Sequence, residues 1–164
     1  MPDELNQEEK KGFKLALRVL SRKSRTCREV AVALERKGLS GAAISKSIAM
    51  LEELGYLNDQ HYAYNYAVLK ASEKLWGSGR ISAELRKKGL SEEIVDSALD
   101  RLWNEMSEEE ILERALKKKI ASMKHVSGEK DRRRLYGYLS RRGFPVHLIV
   151  EKMKDLKITV PYET

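Results

Sequence analysis

Only one cysteine, three prolines, two phenylalanines and two tryptophans occur in the 164 residues. The lone Cys27 has no partner for an internal disulfide, and such cysteine usage fits a reducing cytoplasm. No stretch approaches the roughly 18 consecutive apolar residues of a membrane span. The start, Met1-Pro2-Asp3-Glu4, is polar and acidic and lacks the apolar core of a secretion signal. These absences predict a cytoplasmic protein with no membrane partner. Runs of β-branched and aromatic residues are scarce as well, whereas 35% of the chain is charged. That balance predicts an all-α protein.

What the chain does have is a repeat. The pattern L-x-[RK]-[KR]-G-[LF] occurs as Leu34-Glu35-Arg36-Lys37-Gly38-Leu39, Leu85-Arg86-Lys87-Lys88-Gly89-Leu90 and Leu139-Ser140-Arg141-Arg142-Gly143-Phe144. Its glycines lie 51 and 54 residues apart. Eight residues before each glycine stand Val30, Ile81 and Leu135. Six residues after come Ile44, Val95 and Ile149, ten after come Ile48, Leu99 and Met153, and thirteen after come Leu51, Leu102 and Leu156. Apolar residues at −8 and −4 share one face of a helix that stops at the glycine. Those at +6, +10 and +13 share one face of the next helix, and +1 closes the turn. Self-similarity at this period marks stacked modules, which serve more often as binding surfaces than as catalytic pockets.

Start and stop signals divide the chain into nine helices in three groups of three. The first helix is expected over roughly 5–22. Thr26-x-x-Glu29 forms a capping box for a second that stops at Gly38, and Ser40 starts a third ending near Gly55. Asn58 or Asp59 caps a long helix reaching Gly77-Ser78-Gly79, a short one runs from about Arg80 to Lys88, and Ser91 caps one reaching about Asn104. Ser107-x-x-Glu110 opens a helix to about Lys124, broken at Val126-Ser127-Gly128. The next ends at Gly143, and the last starts at Pro145 and runs to about Lys157. The expected modules are residues 1–57, 58–105 and 106–157, followed by a tail at 158–164.

Signals for catalysis are sparse. Gly77-Ser78-Gly79 lacks the strand and third glycine of a dinucleotide fingerprint and reads as a flexible break between helices. His61, His125 and His147 show no metal-ligand spacing, so neither a metal nor a cofactor is expected. Cys27 beside the Thr26 cap lacks a nearby base and reads as structurally neutral. Glu92-Glu93 lies in the first turn of a helix, where the dipole alone favours acids. The sequence thus predicts no enzyme.

Charge points to a different role. The three modules carry net charges of +3, −1 and +5, and residues 117–142 hold ten basic side chains against two acids. Such a cluster suits a polyanion or an acidic protein surface, with a solvated helix face as the plain alternative. Basic pairs at the end of each second helix also satisfy the helix dipole. The triplets Lys117-Lys118-Lys119 and Arg132-Arg133-Arg134 wrap most of a turn, so some of them must reach solvent. Tyr62, Tyr64 and Tyr66 cannot share one helix face, which leaves core packing or base stacking open to them. Trp76 and Trp103 read as core or seam residues. Tandem helix-turn-helix readout of duplex DNA fits the element lengths but not the charge. The third helix of the middle module begins Ser91-Glu92-Glu93 and continues with Asp96 and Asp100, which repel phosphates. Gly41, Ala42 and Ala43 offer no base readout in the first module.

Three stretches carry a family resemblance: Gly55-Tyr56-Leu57-Asn58-Asp59 with Tyr62-Ala63; Gly79-Arg80-Ile81-Ser82-Ala83-Glu84-Leu85-Arg86-Lys87-Lys88-Gly89-Leu90; and Leu139-Ser140-Arg141-Arg142-Gly143-Phe144. Their order and spacing resemble those of the RecX family, bacterial regulators of the RecA recombinase, across roughly residues 14–156. Asn58-Asp59, His61-Tyr62 and Ser78 depart mildly from the family pattern, which commonly has two aspartates, arginine-phenylalanine and proline there. The resemblance implies three tandem three-helix repeats in an elongated, curved body. It also implies a protein that binds RecA filaments on single-stranded DNA, and a repeat chain with its own caps is expected to be a monomer. Such a protein limits filament growth, ATP hydrolysis, strand exchange and coprotease activity in recombination, DNA repair and the SOS response. Single-stranded DNA would be met directly or through the filament. The candidate contacts are Lys117, Lys118, Lys119, Arg132, Arg133, Arg134, Arg141 and Arg142, with Arg80, Arg86, Lys87 and Lys88 behind them. A nonspecific DNA-binding module acting on recombination indirectly is the alternative.

Overall fold

The computed structural model describes residues 6–123, 126 and 128–155. The N-terminal residues 1–5, Lys124, His125, Ser127, Leu156 and the expected tail at 158–164 lie outside them, as does the expected helix end at Lys157. Among the described residues the fold is all-α, with nine helices: α1 (Gln7–Leu20), α2 (Cys27–Glu35), α3 (Gly41–Glu53), α4 (Asp59–Lys74), α5 (Ser78–Lys87), α6 (Glu92–Glu105), α7 (Glu108–Ala121), α8 (Gly128–Arg141) and α9 (Val146–Asp155). None is long and apolar enough to cross a membrane.

The helices start where side-chain oxygens can take backbone N–H groups. Thr26 and Glu29 form the reciprocal box expected of them. Ser40, Asn58 and Ser91 each accept an N–H of the first turn. Ser107 makes the forward half of its box, accepting from Glu110 at 3.3 Å. A second full box, Asn6 with Glu9, sets the start of α1.

The repeated hexamer is a helix-stop motif. Gly38, Gly89 and Gly143 have φ of 77°, 85° and 81°, the left-handed conformation that suits glycine. In each copy the glycine N–H bonds three residues back, to Glu35, Arg86 or Ser140. The following N–H reaches five residues back, from Leu39 to Leu34, Leu90 to Leu85 and Phe144 to Leu139. This is the double bond pattern of the Schellman turn, with its characteristic apolar pair at the two ends of the longer bond. All six members of those pairs are buried, as are Val30, Ile81 and Leu135 at −8. Ile44, Ile48 and Leu99 are only partly buried, whereas Val95, Ile149 and Met153 are fully buried.

The chain divides into two compact units. One holds residues up to Ala63 together with Leu85–Val95, and the other holds Tyr64–Glu84 and residues from Asp96 onward. Each helix of the stretch 58–105 contributes to both. In the first unit α1 packs on α2 and α3, around Ala16, Val30, Leu34, Leu51 and Leu57. In the second, α7, α8 and α9 pack together around Leu112, Leu116, Leu135, Leu139, Ile149 and Met153.

Within each unit the start of one second helix sits on the Schellman turn of the next. In the first unit the Thr26 hydroxyl donates to the Lys88 carbonyl at 3.0 Å, and the Cys27 N–H donates to Asp59 at 2.9 Å. In the second unit the Gly77 N–H donates to the Arg142 carbonyl at 2.8 Å, and the Ser78 N–H donates to Glu108 at 2.7 Å. The two seams share one register: position −12 meets the next −1 carbonyl, and the N–H at −11 meets an acid of the next repeat's first helix. The expected break between helices is present at Gly77, between α4 and α5, and the hydrogen bond from its N–H to the Arg142 carbonyl pins it. Ser78 already belongs to α5, and a Cβ on Gly77 would lie 2.6 Å from the Gly143 carbonyl oxygen.

Candidate protein and nucleic-acid interface

The twelve candidate cations divide according to what the fold asks of them. Arg142, just past α8, donates to the Lys74 and Leu75 carbonyls at the end of α4 and rests on the Tyr138 ring at 4.7 Å. It thereby satisfies carbonyls that the helix end leaves without intrahelical donors. Arg80 stacks on Trp76 at 4.0 Å and donates to the Arg141 carbonyl at 3.4 Å. Half-buried Lys88 pairs with Glu29 at 3.1 Å and lies over Tyr62 at 5.6 Å. These three are integrated into packing between elements.

A second set pairs with carboxylates at the surface. Arg86 grips Glu92 through two bonds of 2.5 and 2.7 Å, and Lys117 pairs with Glu113 at 2.6 Å. Glu129 takes Arg133 at 3.0 Å and half-buried Arg132 at 4.0 Å. Exposed pairs of this kind are worth under about 1 kcal/mol and exchange readily for a polyanion. Lys119 lies over Tyr138 at 5.3 Å, on a ring already shared with Arg142.

Lys87, Lys118, Arg134 and Arg141 are exposed. Arg134 and Arg141 fall on one line of α8 together with exposed Lys130, which the sequence pattern did not single out. The three lie within about 40° of one another and span about 16 Å, because 100° per residue returns positions 4 and 11 to the same face. On the opposite face Leu135 and Leu139 enter the core. The charged line is thus the outer side of a helix whose inner side is fixed.

Several aromatic residues are already engaged by the chain's own side chains. Tyr64 donates to Glu105 and carries the Arg101 guanidinium at 3.8 Å. Tyr66 has Lys70 at 5.0 Å, and Trp76 has Lys70 at 5.1 Å and Arg80 at 4.0 Å. Trp103 packs against the core around α7–α9, with its indole N–H buried. On Tyr64, Tyr66 and Trp76 the chain's own cations thus compete with a base for the ring face.

Other titratable groups serve the fold. Burial pushes the Cys27 thiol up to about 12, reinforced by the carboxylates of Asp59 and Glu52. Burial and those two acids outweigh the helix start that could have activated it. Burial also raises Glu108, against the opposing pull of the Ser78 N–H. Among the described residues no group of three or more His, Cys, Asp or Glu side chains could hold a metal ion.

Comparison with known proteins agrees with this architecture. Two family models, described as the second and third three-helix domains of RecX, match residues 58–99 and 107–153. A regulatory protein RecX from Chlorobium phaeobacteroides strain BS1 is 33% identical over 149 residues, covering 91% of this chain and 95% of that one. Another from Amycolatopsis mediterranei strain U-32 is 30% identical over 156 residues, covering 94% and 89%. The crystal structure of RecX from Lactobacillus salivarius matches with a TM-score of 0.83 at 27% identity, over 94% of this chain and 99% of that chain. The chain belongs to the RecX family of regulatory proteins.

Proposed function

We propose that this protein regulates a RecA-type recombinase by binding its filament on single-stranded DNA and restraining filament growth and ATP hydrolysis. The observation that carries this reading is membership of a family of regulatory proteins along nearly the whole chain. The outward line Lys130, Arg134 and Arg141, with Lys118 on α7, supports it as an electrostatic attachment. The surface-paired Lys117, Arg132 and Arg133 stand close by in sequence and add to the same field. Arg80, Lys88 and Arg142 instead hold helices together. The protein works by occupancy rather than by chemistry of its own.

The test is DNA-dependent ATP hydrolysis by the cognate recombinase, titrated with this protein at excess single-stranded DNA. Inhibition well below one protein per recombinase protomer is the expected result. Inhibition that disappears as DNA is added would instead make the protein a nonspecific DNA binder that competes for the lattice.

A further inference from the structure

The first unit carries a feature that none of the twelve candidate cations touches. Between α1 and α2 lies a cleft of about 340 Å³. Its floor is aliphatic, formed by Leu15, Val19, Ala33 and Leu34. Its rim is cationic, formed by Arg18, Arg22, Arg25 and Lys37, and no carboxylate lines it. Leu15 and Arg18 continue into a second depression along α1, where the remaining charged lining residues are Lys10, Lys11 and Lys14. From Gln7 to Leu20 the helix beneath this groove is about 20 Å long.

Two further observations bear on what fits there. The Arg25 Nε–H is buried and finds no acceptor among the described residues. The guanidinium nonetheless keeps its full positive charge at the rim. Neither lining contains an aromatic side chain. Single-stranded nucleic acid is held by rings on which bases stack, so a purely aliphatic floor under a cationic rim suits it poorly. An acidic segment with an apolar side chain matches both halves of the cleft: carboxylates to the rim, the anchor to the floor.

We propose that the α1–α2 cleft is a docking site for an acidic peptide segment of a partner protein, anchored by an apolar side chain. The site is separate from the α8 line, and its ligand is read by binding rather than by ATP hydrolysis. Its outcome is therefore distinguishable from that of the filament reading.

The experiment is fluorescence anisotropy of a labelled acidic peptide with a central phenylalanine, titrated with the intact chain. Exposed Arg18 and Arg22 can be reversed together without touching the core. The R18E/R22E variant is expected to keep its thermal midpoint and to bind about tenfold or more weakly, as loss of two facing charges requires. The neutral R18Q/R22Q variant should lie between, and replacing the peptide's phenylalanine with serine should weaken binding to the parent. Equal binding by parent and both variants would overturn the proposal. So would a single-stranded oligonucleotide that loses as much affinity to R18E/R22E as the peptide does, since the cleft would then serve nucleic acid.

Discussion

The Thr26 hydroxyl makes two hydrogen bonds, accepting from the Glu29 N–H at 3.2 Å and donating to the Lys88 carbonyl at 3.0 Å. Glu29 in turn meets the Thr26 N–H at 3.1 Å and the Lys88 ammonium at 3.1 Å. Three residues, two of them 62 positions apart, thus share one small network. Burial is the largest influence on Glu29 and pushes its carboxyl up, but the Thr26 N–H and Lys88 together hold it below the usual carboxylate range. Burial likewise pushes Lys88 down, and Tyr62 and Glu29 together raise it above its ordinary value. The signs set the pH window. A carboxyl depressed in the folded state contributes stability above its unfolded pKa and loses it as pH falls through the folded value. An ammonium raised in the folded state contributes below its unfolded pKa and loses it as pH rises through the folded value. The network therefore holds across neutral pH and weakens at both extremes. Replacing Glu29 with glutamine should lower the urea midpoint at about pH 7, and the deficit should shrink towards about pH 3 as falling pH protonates the carboxyl first in the unfolded and then in the folded state. A deficit as large at pH 3 as at pH 7 would mean that charge on Glu29 is irrelevant to the seam.

At the scale of helices, the hexamer was legible because every part of it is local. The Schellman turn spans six residues, so its leucine, glycine and second apolar residue appear side by side in the sequence. The same is true of the capping boxes and of the buried positions at −8 and −4, which follow from helical period alone. The seams were not legible, because each needs a partner far along the chain. Asp59 reads as a candidate helix cap and Glu108 carries no signal of its own, yet each accepts an N–H from a helix 30 or more residues earlier. Gly77 read as a break because nothing nearby forbids a side chain there. The obstruction is the Gly143 carbonyl oxygen at 2.6 Å and the Phe144 Cα at 2.7 Å, both backbone atoms that cannot rotate away. Gly77→Ala should therefore cost about 2–3 kcal/mol, as overpacking against fixed atoms does. Gly38→Ala meets nothing within 4 Å and bears only the penalty of its φ of +77°, about 1–2 kcal/mol. Urea denaturation of the two variants gives the order, and a Gly38→Ala cost equal to or above that of Gly77→Ala would remove the seam from the account of stability.

Across the whole molecule the question is which positive charges remain for a partner once the fold has taken its share. The sequence located the basic region at 117–142 but could not rank its members, since a cation's alternatives are carbonyls and rings supplied by other helices. Arg141 and Arg142 are neighbours in sequence and opposites in use. Arg141 is exposed on the outer line of α8, whereas Arg142 turns to the Lys74 and Leu75 carbonyls and the Tyr138 ring. The pair therefore separates stability from attachment within one chain. Arg142→Ala leaves two carbonyls without that donor and should lower stability by about 1–3 kcal/mol. Its inhibition of the recombinase should survive at temperatures where it remains folded. Reversing Arg134 and Arg141 together removes no core contact and should leave the thermal midpoint within a few degrees of the parent. Inhibition of DNA-dependent ATP hydrolysis should then weaken about tenfold, and its salt dependence should become shallower as fewer charges are engaged. Thermal melts and the hydrolysis titration, run on both variants, distinguish the roles. Full inhibition by a folded R134E/R141E protein would move the attachment away from this line of α8. The surface-paired cations Lys117, Arg132 and Arg133 would be next, since an incoming polyanion can displace Glu113 and Glu129 from them at little cost.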